Sequence, residues 1–146
     1  MGAGIVQVAA AAGFKVTMVD VNQEALDKGR QIILSSLQRI AKKKFEGQDA
    51  AVAQKFVSGV MDNVCTGLDS TVAAAKSDLI VEAIVENLAV KQKLFKALDA
   101  AAPAHAIFAS NTSSLPIRSI AEATKRKDRF AGLHFFNPGL FFDKHS

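Results

Sequence analysis

The first residues whose pattern could bind a ligand are Gly2 and Asp20. Gly2 opens a helical pattern of small residues, and Asp20 ends the apolar run that follows, which matches the back half of a dinucleotide-binding G-x-G-x-x-G fingerprint. A glycine there lets helix and strand pack closely, and the acid accepts hydrogen bonds from adenosine ribose and favours NAD over NADP. A second interpretation stays open, in which Gly2 and Gly4 line a tight helix and Asp20 caps a turn.

A second group of charged residues follows the apolar run 79–85. Glu86 and Lys91 would lie at the carboxyl edge of a parallel sheet, where open α/β sheets bind ligands. The alternative is a solvated helix start, at which Glu86 favours the helix dipole. Glu82 falls inside the predicted strand itself, and a carboxylate there needs a partner that the sequence does not name.

Three further features have plain structural interpretations. His134 stands beside Phe135 and Phe136, where a lone histidine is more often structural than catalytic. The run 42–44 is three lysines, typical of the solvated end of a helix. Cys65 is predicted to be a structural cysteine, and the hydroxyl residues around position 113 (Ser110, Thr112 and Ser114) are predicted to cap the next helix.

The elements that must position these residues alternate between strands and helices. Helices are predicted at 2–12, 23–44 (after the N-cap Asn22), 50–60, 70–75, 88–101 and 117–124. Strands are predicted at 14–19, 63–66, 79–85, 106–109 and 130–135. Strands separated by helices indicate βαβ units, so the predicted fold class is α/β in one domain, with a parallel sheet that lacks its first strand.

Composition excludes several classes of protein. Hydrophobic residues make up 49% of the 146 and charged residues 22%, which is typical of a folded globular chain. The net charge of +4 suits phosphorylated ligands but is too small and scattered to indicate nucleic-acid binding. One cysteine allows neither an intrachain disulfide nor a multi-cysteine zinc site, so no metal is predicted, and we expect neither a membrane span nor a signal peptide.

The whole pattern resembles the NAD-binding domain of L-3-hydroxyacyl-CoA dehydrogenases, especially the short-chain mitochondrial type. The segments that carry the resemblance are MGAGIVQVAA, VTMVD, AKKKF, DLIVEAIVENLAVKQKLF, IFASNTSSLPI and DRFAGLHFFNP, and they span Met1 to Pro138. The resemblance implies a Rossmann-like doubly wound parallel sheet and oxidation of 3-hydroxyacyl-CoA to 3-oxoacyl-CoA by NAD. It further implies fatty-acid β-oxidation, the mitochondrial matrix and a homodimer.

The same resemblance implies roles for individual residues. His134 would be the catalytic base, and Ser113 and Asn137 would position substrate and cofactor. The residues implied to contact NAD are Gly2, Asp20, Glu86, Lys91, Ser113 and Asn137. Those implied to contact the coenzyme A substrate are Ser36, Lys43 and Ser113.

Three departures from the family pattern shape the expected activity. We expect residues 1–138 to be an incomplete NAD-binding domain without its opening strand and first two fingerprint glycines, followed by a divergent tail at 139–146. The family's glutamate partner of the histidine would fall at Ser146, with Asp143 a poor substitute, and the helical dimer domain is expected to be absent. Impaired catalysis is therefore the expectation, with a non-catalytic NAD- or CoA-binding or regulatory role as the alternative.

Overall fold

A computed structural model describes residues 2–136, so Asn137, Asp143 and the predicted tail 139–146 lie outside the described residues. The helices are α1 (Gly2–Ala11), α2 (Gln23–Lys44), α3 (Ala50–Met61), α4 (Ser70–Ala74), α5 (Leu88–Ala101), α6 (Ile117–Ala121) and a 3₁₀ turn (Lys127–Arg129). The strands are β1 (Val16–Val19), β2 (Val64–Gly67), β3 (Leu79–Glu82), β4 (Ile107–Ser110) and β5 (Phe130–Gly132). All strand pairs are parallel, which confirms the predicted α/β class.

The described residues form two compact units, an N-terminal unit (residues 2–68) and a C-terminal unit (residues 69–136). In the N-terminal unit, β1 pairs with β2 from Val16 opposite Val64 to Val19 opposite Gly67. Helices α1, α2 and α3 supply an aliphatic core, whose buried members are Val6, Ala10, Met18, Leu26, Ile33, Leu37, Val60 and Val64. This core forms because α2 repeats its apolar residues at helical spacing and so buries one stripe.

The C-terminal unit has the strand order β3-β4-β5 and a core of aromatic rings. Phe95 on α5 lies 5.5 Å from Phe108 on β4 and 4.6 Å from Phe130 on β5, measured between ring centroids. Such pairs are worth about 0.5–1.5 kcal/mol each beyond the burial of their area. With no Trp or Tyr in the sequence, phenylalanine carries all of this aromatic packing.

Arg126 stabilises the C-terminal unit near the N-terminal ends of its strands. Its guanidinium lies 4.4 Å from the centre of the Phe108 ring and donates to the carboxylate of Asp99 at 2.6 Å. It also donates to the backbone carbonyls of Pro103 and Ala106. Nearly every donor of this buried cation is therefore used internally, which makes Arg126 a structural residue.

Two strands end earlier than the sequence predicted, and both differences bear on the site. The strand predicted at 79–85 ends at Glu82, because the Ile84 amide turns back to donate to the Glu82 carboxylate at 2.7 Å. The strand predicted at 130–135 ends at Gly132, so His134 lies in the segment beyond the strand. The helix predicted at 117–124 likewise ends early, at Ala121.

The first element of the described chain is α1, with no strand before it among residues 2–136. Within their own sheets, β1 pairs with β2 alone and β3 pairs with β4 alone among residues 2–136. No helix within residues 2–136 is long and apolar enough to cross a membrane.

Candidate functional site

A buried ion pair lies where β3 ends in the C-terminal unit. Lys91 on α5 places its Nζ 2.6 Å from Oε1 of Glu82, and both side chains are fully buried. The other carboxylate oxygen of Glu82 accepts a hydrogen bond from the Ser110 hydroxyl at 2.5 Å. Strand β3, strand β4 and helix α5 are thus tied together by charge-assisted hydrogen bonds, which are about twice as strong as neutral ones.

The network continues outward to Glu86, at the start of α5. Lys91 Nζ lies 3.1 Å from Oε1 of Glu86, whose Oε2 accepts hydrogen bonds from Thr112 at 2.8 Å and Ser114 at 2.9 Å. The Thr112 hydrogen bond is the largest influence on the pKa of Glu86, and with help from Lys91 and Ser114, against desolvation, that pKa falls to about 2. Glu86 is therefore an anion at neutral pH.

The loop after β4 carries Ser113 between these two bonded hydroxyls. Ser113 is exposed, and within residues 2–136 no protein group forms a hydrogen bond with its hydroxyl. The backbone around His134 is tied to β4 and to this loop, because Leu133 donates to the carbonyl of Ser110 at the end of β4 at 3.1 Å and Phe135 donates to Oδ1 of Asn111 in the loop at 2.8 Å. These two hydrogen bonds flank the exposed His134 and hold its backbone beside the start of the loop that carries Ser113.

The structure corrects three sequence interpretations here. Lys91 is fully buried, so a solvated helix start is wrong for it. Ser110, Thr112 and Ser114 do not cap the next helix, since α6 begins after Pro116 without a side-chain cap. Cys65 is exposed on β2, so it is not a buried packing residue.

Sequence reasoning missed the partners of Glu82 and the part played by Asn111. A carboxylate at the end of an apolar strand was the available signal, because a buried charge requires a countercharge. The identity of that countercharge was not readable, although Lys91 lies on the next helix at a separation of 9 residues.

In the N-terminal unit, Asp20 follows β1 and remains open to solvent. Its Oδ1 accepts the amide of Val21 at 2.7 Å, as in the predicted turn, and no hydrogen bond to Oδ2 occurs within residues 2–136. The tight connection between α1 and β1, with Gly13 at φ 95°, reverses the chain, so the N-terminus of α1 points toward the end of β1. A Cβ added at Gly2 would meet nothing within 4 Å in the described chain, so close packing there remains a prediction.

Ser36 and Lys43 lie on α2 of the same unit. Lys43 is exposed, and Ser36 is half-buried, with its hydroxyl oxygen accepting a hydrogen bond from Nε2 of the buried Gln7 at 3.0 Å. Lys44 differs from its neighbours, because its Nζ lies 5.0 Å from the centre of the Phe56 ring, at cation–π distance. Within residues 2–136 the ammonium group of Lys43 forms no ion pair, so it suits a phosphate.

Residues 1–142 match the family model described as 3-hydroxyacyl-CoA dehydrogenase, NAD binding domain. The chain belongs to this family. The cofactor of the 3-hydroxyacyl-CoA dehydrogenase family is NAD, and Asp20 fits it, because within residues 2–136 no protein group donates to its Oδ2, which leaves this oxygen for a ribose hydroxyl.

Among relatives of this dehydrogenase domain, human mitochondrial hydroxyacyl-coenzyme A dehydrogenase is 54% identical over 138 residues. A probable 3-hydroxybutyryl-CoA dehydrogenase of Bacillus subtilis is 43% identical over 139 residues. Each match covers 94% of this chain, but only 44% of the human and 46% of the bacterial protein, so the chain spans less than half their length.

Solved structures agree with the family assignment. The (S)-3-hydroxybutyryl-CoA dehydrogenase from Ralstonia eutropha superimposes with a TM-score of 0.83 at 36% identity, over 94% of this chain and 46% of that one. The 3-hydroxybutyryl-CoA dehydrogenase from Escherichia coli superimposes with a TM-score of 0.80 at 34% identity, over 95% of this chain and 28% of that one. These neighbours confirm the Rossmann-like α/β fold that the sequence predicted.

Proposed function

We propose that this chain contributes the NAD-binding part of an enzyme that oxidises 3-hydroxyacyl-CoA to 3-oxoacyl-CoA. The observation that carries the proposal is the attachment of the backbone around His134 to the end of β4 through the Leu133 amide and to the Ser113 loop through the Phe135 amide. A base and a hydroxyl donor on two linked segments suit proton removal from a secondary alcohol. Family membership and the names of the relatives support the same activity.

In this reaction His134 takes the proton of the 3-hydroxyl group, since an unprotonated imidazole nitrogen carries a lone pair that can accept it. Ser113 donates a hydrogen bond to the same substrate oxygen. Bound NAD would supply the acceptor for the hydride of C3, which would give 3-oxoacyl-CoA, NADH and a proton as products. Asn137, proposed to position substrate and cofactor, lies outside the described residues.

The remaining predicted residues hold the ligands in this proposal. Asp20 accepts hydrogen bonds from the adenosine ribose, and Gly2 allows a phosphate near the N-terminus of α1. Lys91 is fully buried, so it acts only through Glu86, whose partly exposed carboxylate lies 3.1 Å from the Lys91 ammonium. Ser36 and Lys43 bind coenzyme A, with the Lys43 ammonium paired to a phosphate.

The proposed cellular setting is fatty-acid β-oxidation in the mitochondrial matrix. The human, pig and rat relatives are all named as mitochondrial proteins, which supports this location. Fractionation of the source cells tests it, with the protein expected to follow soluble matrix markers.

A non-catalytic NAD- or CoA-binding role is the second candidate. It is favoured by one observation: within residues 2–136 no carboxylate pairs with His134, whose ring instead lies 4.6 Å from that of Phe136. A histidine base usually needs a hydrogen-bonded partner to fix its tautomer and orientation.

Calorimetric titration of the full chain with NAD tests both candidates. We expect NAD binding that weakens about tenfold in Asp20→Asn, as for one lost charged hydrogen bond, with NADP bound more weakly than NAD by the unchanged chain. Asp62→Asn, at the exposed end of α3, is the matched control and should leave NAD affinity unchanged. Failure to bind NAD would contradict the catalytic candidate, and failure to bind both NAD and acetoacetyl-CoA would contradict both candidates.

A turnover assay separates the two. NADH formation from 3-hydroxybutyryl-CoA that disappears in His134→Gln would establish the catalytic role. NAD binding without NADH formation would establish the non-catalytic one.

A further inference from the structure

The carboxylate of Glu86 is already engaged by protein atoms on both of its oxygens. Oε1 lies 3.1 Å from the Lys91 ammonium, and Oε2 accepts the hydroxyls of Thr112 and Ser114. We propose that Glu86 is a positioning residue that clamps the loop carrying Ser113. This role differs from the direct NAD contact predicted for Glu86, and it rests on the proposed function of Ser113 as the substrate's hydroxyl donor.

The fixed end of the clamp is the buried ion pair. Lys91 is held by Glu82 at 2.6 Å and by the Ile84 carbonyl at 3.4 Å, while Glu82 is itself held by Ser110. Lys91, Glu82 and Ser110 are all buried, so solvent competes weakly with the contacts between them. Glu86 is thus attached to a rigid cation on α5 and reaches from there to the loop after β4.

The other end of the clamp is the loop of residues 111–115. Thr112 donates to Glu86 and also accepts the Leu115 amide at 3.0 Å, which closes a turn over Ser113. Ser114 supplies the second donor on the other side. The two hydroxyls beside Ser113 both donate to Glu86. The Ser113 hydroxyl has no hydrogen-bond partner in the described chain and can donate to a substrate oxygen.

The clamp has a consequence that a direct cofactor contact lacks. When the Ser114 or Thr112 hydroxyl is removed, Glu86 keeps its charge and position, but the Ser113 loop loses its attachment. We expect acyl-CoA binding to weaken, because the loop must then be ordered at the cost of binding free energy. NAD binding should stay nearly constant.

The experiment compares Ser114→Ala and the double variant Thr112→Val/Ser114→Ala with the unchanged full chain. Amide hydrogen exchange of residues 111–115 is measured without ligand, and the affinities for acetoacetyl-CoA and NAD are measured by calorimetry. In the double variant we expect exchange in this loop to rise about tenfold and acetoacetyl-CoA affinity to fall about tenfold, as for one to two lost hydrogen bonds, with NAD affinity within about twofold.

Two variants serve as controls within the same unit. Ser119→Ala removes a hydroxyl on α6 that makes no side-chain hydrogen bond in the described chain, and it should change nothing in the loop. Thr112→Ser keeps a hydroxyl at position 112. When Thr112→Ser replaces Thr112→Val in the double variant, both slow exchange and acetoacetyl-CoA affinity should be restored to the level of Ser114→Ala. Such a rescue would show that the hydroxyl, rather than general packing, positions Ser113.

Unchanged exchange at residues 111–115 in the double variant would overturn the clamp. So would a Glu86→Gln variant that loses NAD affinity while its loop exchange stays slow, since Glu86 would then be a direct cofactor contact. If the unchanged chain binds neither ligand, the proposed function fails, and the exchange measurement alone still decides the clamp. If the double variant does not fold, Ser114→Ala decides it.

Discussion

The N-terminal and C-terminal units differ in whether the polar residues predicted to bind ligands already have protein partners. In the C-terminal unit, Glu86 and Lys91 are saturated by protein partners, and the Ser113 loop is held in place before any ligand arrives. In the N-terminal unit, Asp20 and Lys43 are exposed. Side chains that are already bonded preorganise a site, whereas free ones leave their hydrogen bonds to the ligand.

The cores of the two units also differ, because among the described residues only the C-terminal unit contains a network of charged side chains. The N-terminal unit is packed by aliphatic side chains from three helices and two strands, and the C-terminal unit by tilted and edge-to-face phenylalanines with a charged network at the end of its sheet. Charge inside a core is stabilising only while every partner is present. The C-terminal unit should therefore be the more sensitive of the two to single polar substitutions.

Lys91→Met tests this sensitivity and has the largest expected effect. It leaves the Glu82 carboxylate buried without a countercharge, which costs about 3–5 kcal/mol in the free energy of unfolding. Urea unfolding measures the loss, and exchange protection should fall mainly in residues 69–136. The double variant Glu82→Gln/Lys91→Met removes both charges and should cost much less; an equal loss in both variants would mean that packing, not charge, decides.

Ile33→Val probes the aliphatic core of the N-terminal unit. Ile33 is fully buried on α2, so removing one methylene should cost about 0.5–1.5 kcal/mol in the free energy of unfolding. Ile32→Val, at an adjacent position that is 51% exposed, is the matched control and should stay within about 0.5 kcal/mol. Equal losses at the two positions would contradict the burial pattern of α2.

Acid should act on the C-terminal unit through Glu86. Its folded pKa of about 2 lies below the ordinary 4.5, so its contribution to stability is complete above pH 4.5 and is lost as the pH falls toward 2. Thermal midpoints measured across this range should fall less steeply in Glu86→Gln than in the unchanged chain. Glu46→Gln, at an exposed site without an ion pair in the described chain, should keep the original slope.

Asp20→Asn has the smallest expected effect on folding. The side chain is exposed, and the substituted amide keeps an oxygen to accept the Val21 amide, so the free energy of unfolding should change by less than about 0.5 kcal/mol. Urea unfolding measures it beside the NAD titration. A large loss of stability would show that Asp20 supports the fold, and the contrast between the two units would then not hold at this position.

Helix positions were predictable from local sequence because their signals are local. The predicted helices at 23–44 and 88–101 are confirmed to the residue, with Asn22 and Asn87 each accepting an amide of the first turn. Capping side chains and apolar spacing act within a few residues, and so they can be read without the fold. The match of residue patterns to a known family was equally readable, and the comparison with relatives confirmed it.

Only the tertiary structure decided where the strands stop and which side chains the charges meet. Glu82 meets Ser110 across 28 residues of sequence, and Glu86 meets Thr112 across 26. No short-range pattern encodes such pairs, because a hydroxyl can satisfy a turn, a helix end or a distant carboxylate equally well. Burial determines which partners are used. When β3, β4 and α5 pack together, Glu82 and Lys91 are buried and must pair with each other. The hydrogen bonds that extend from this pair then position the loop that carries Ser113.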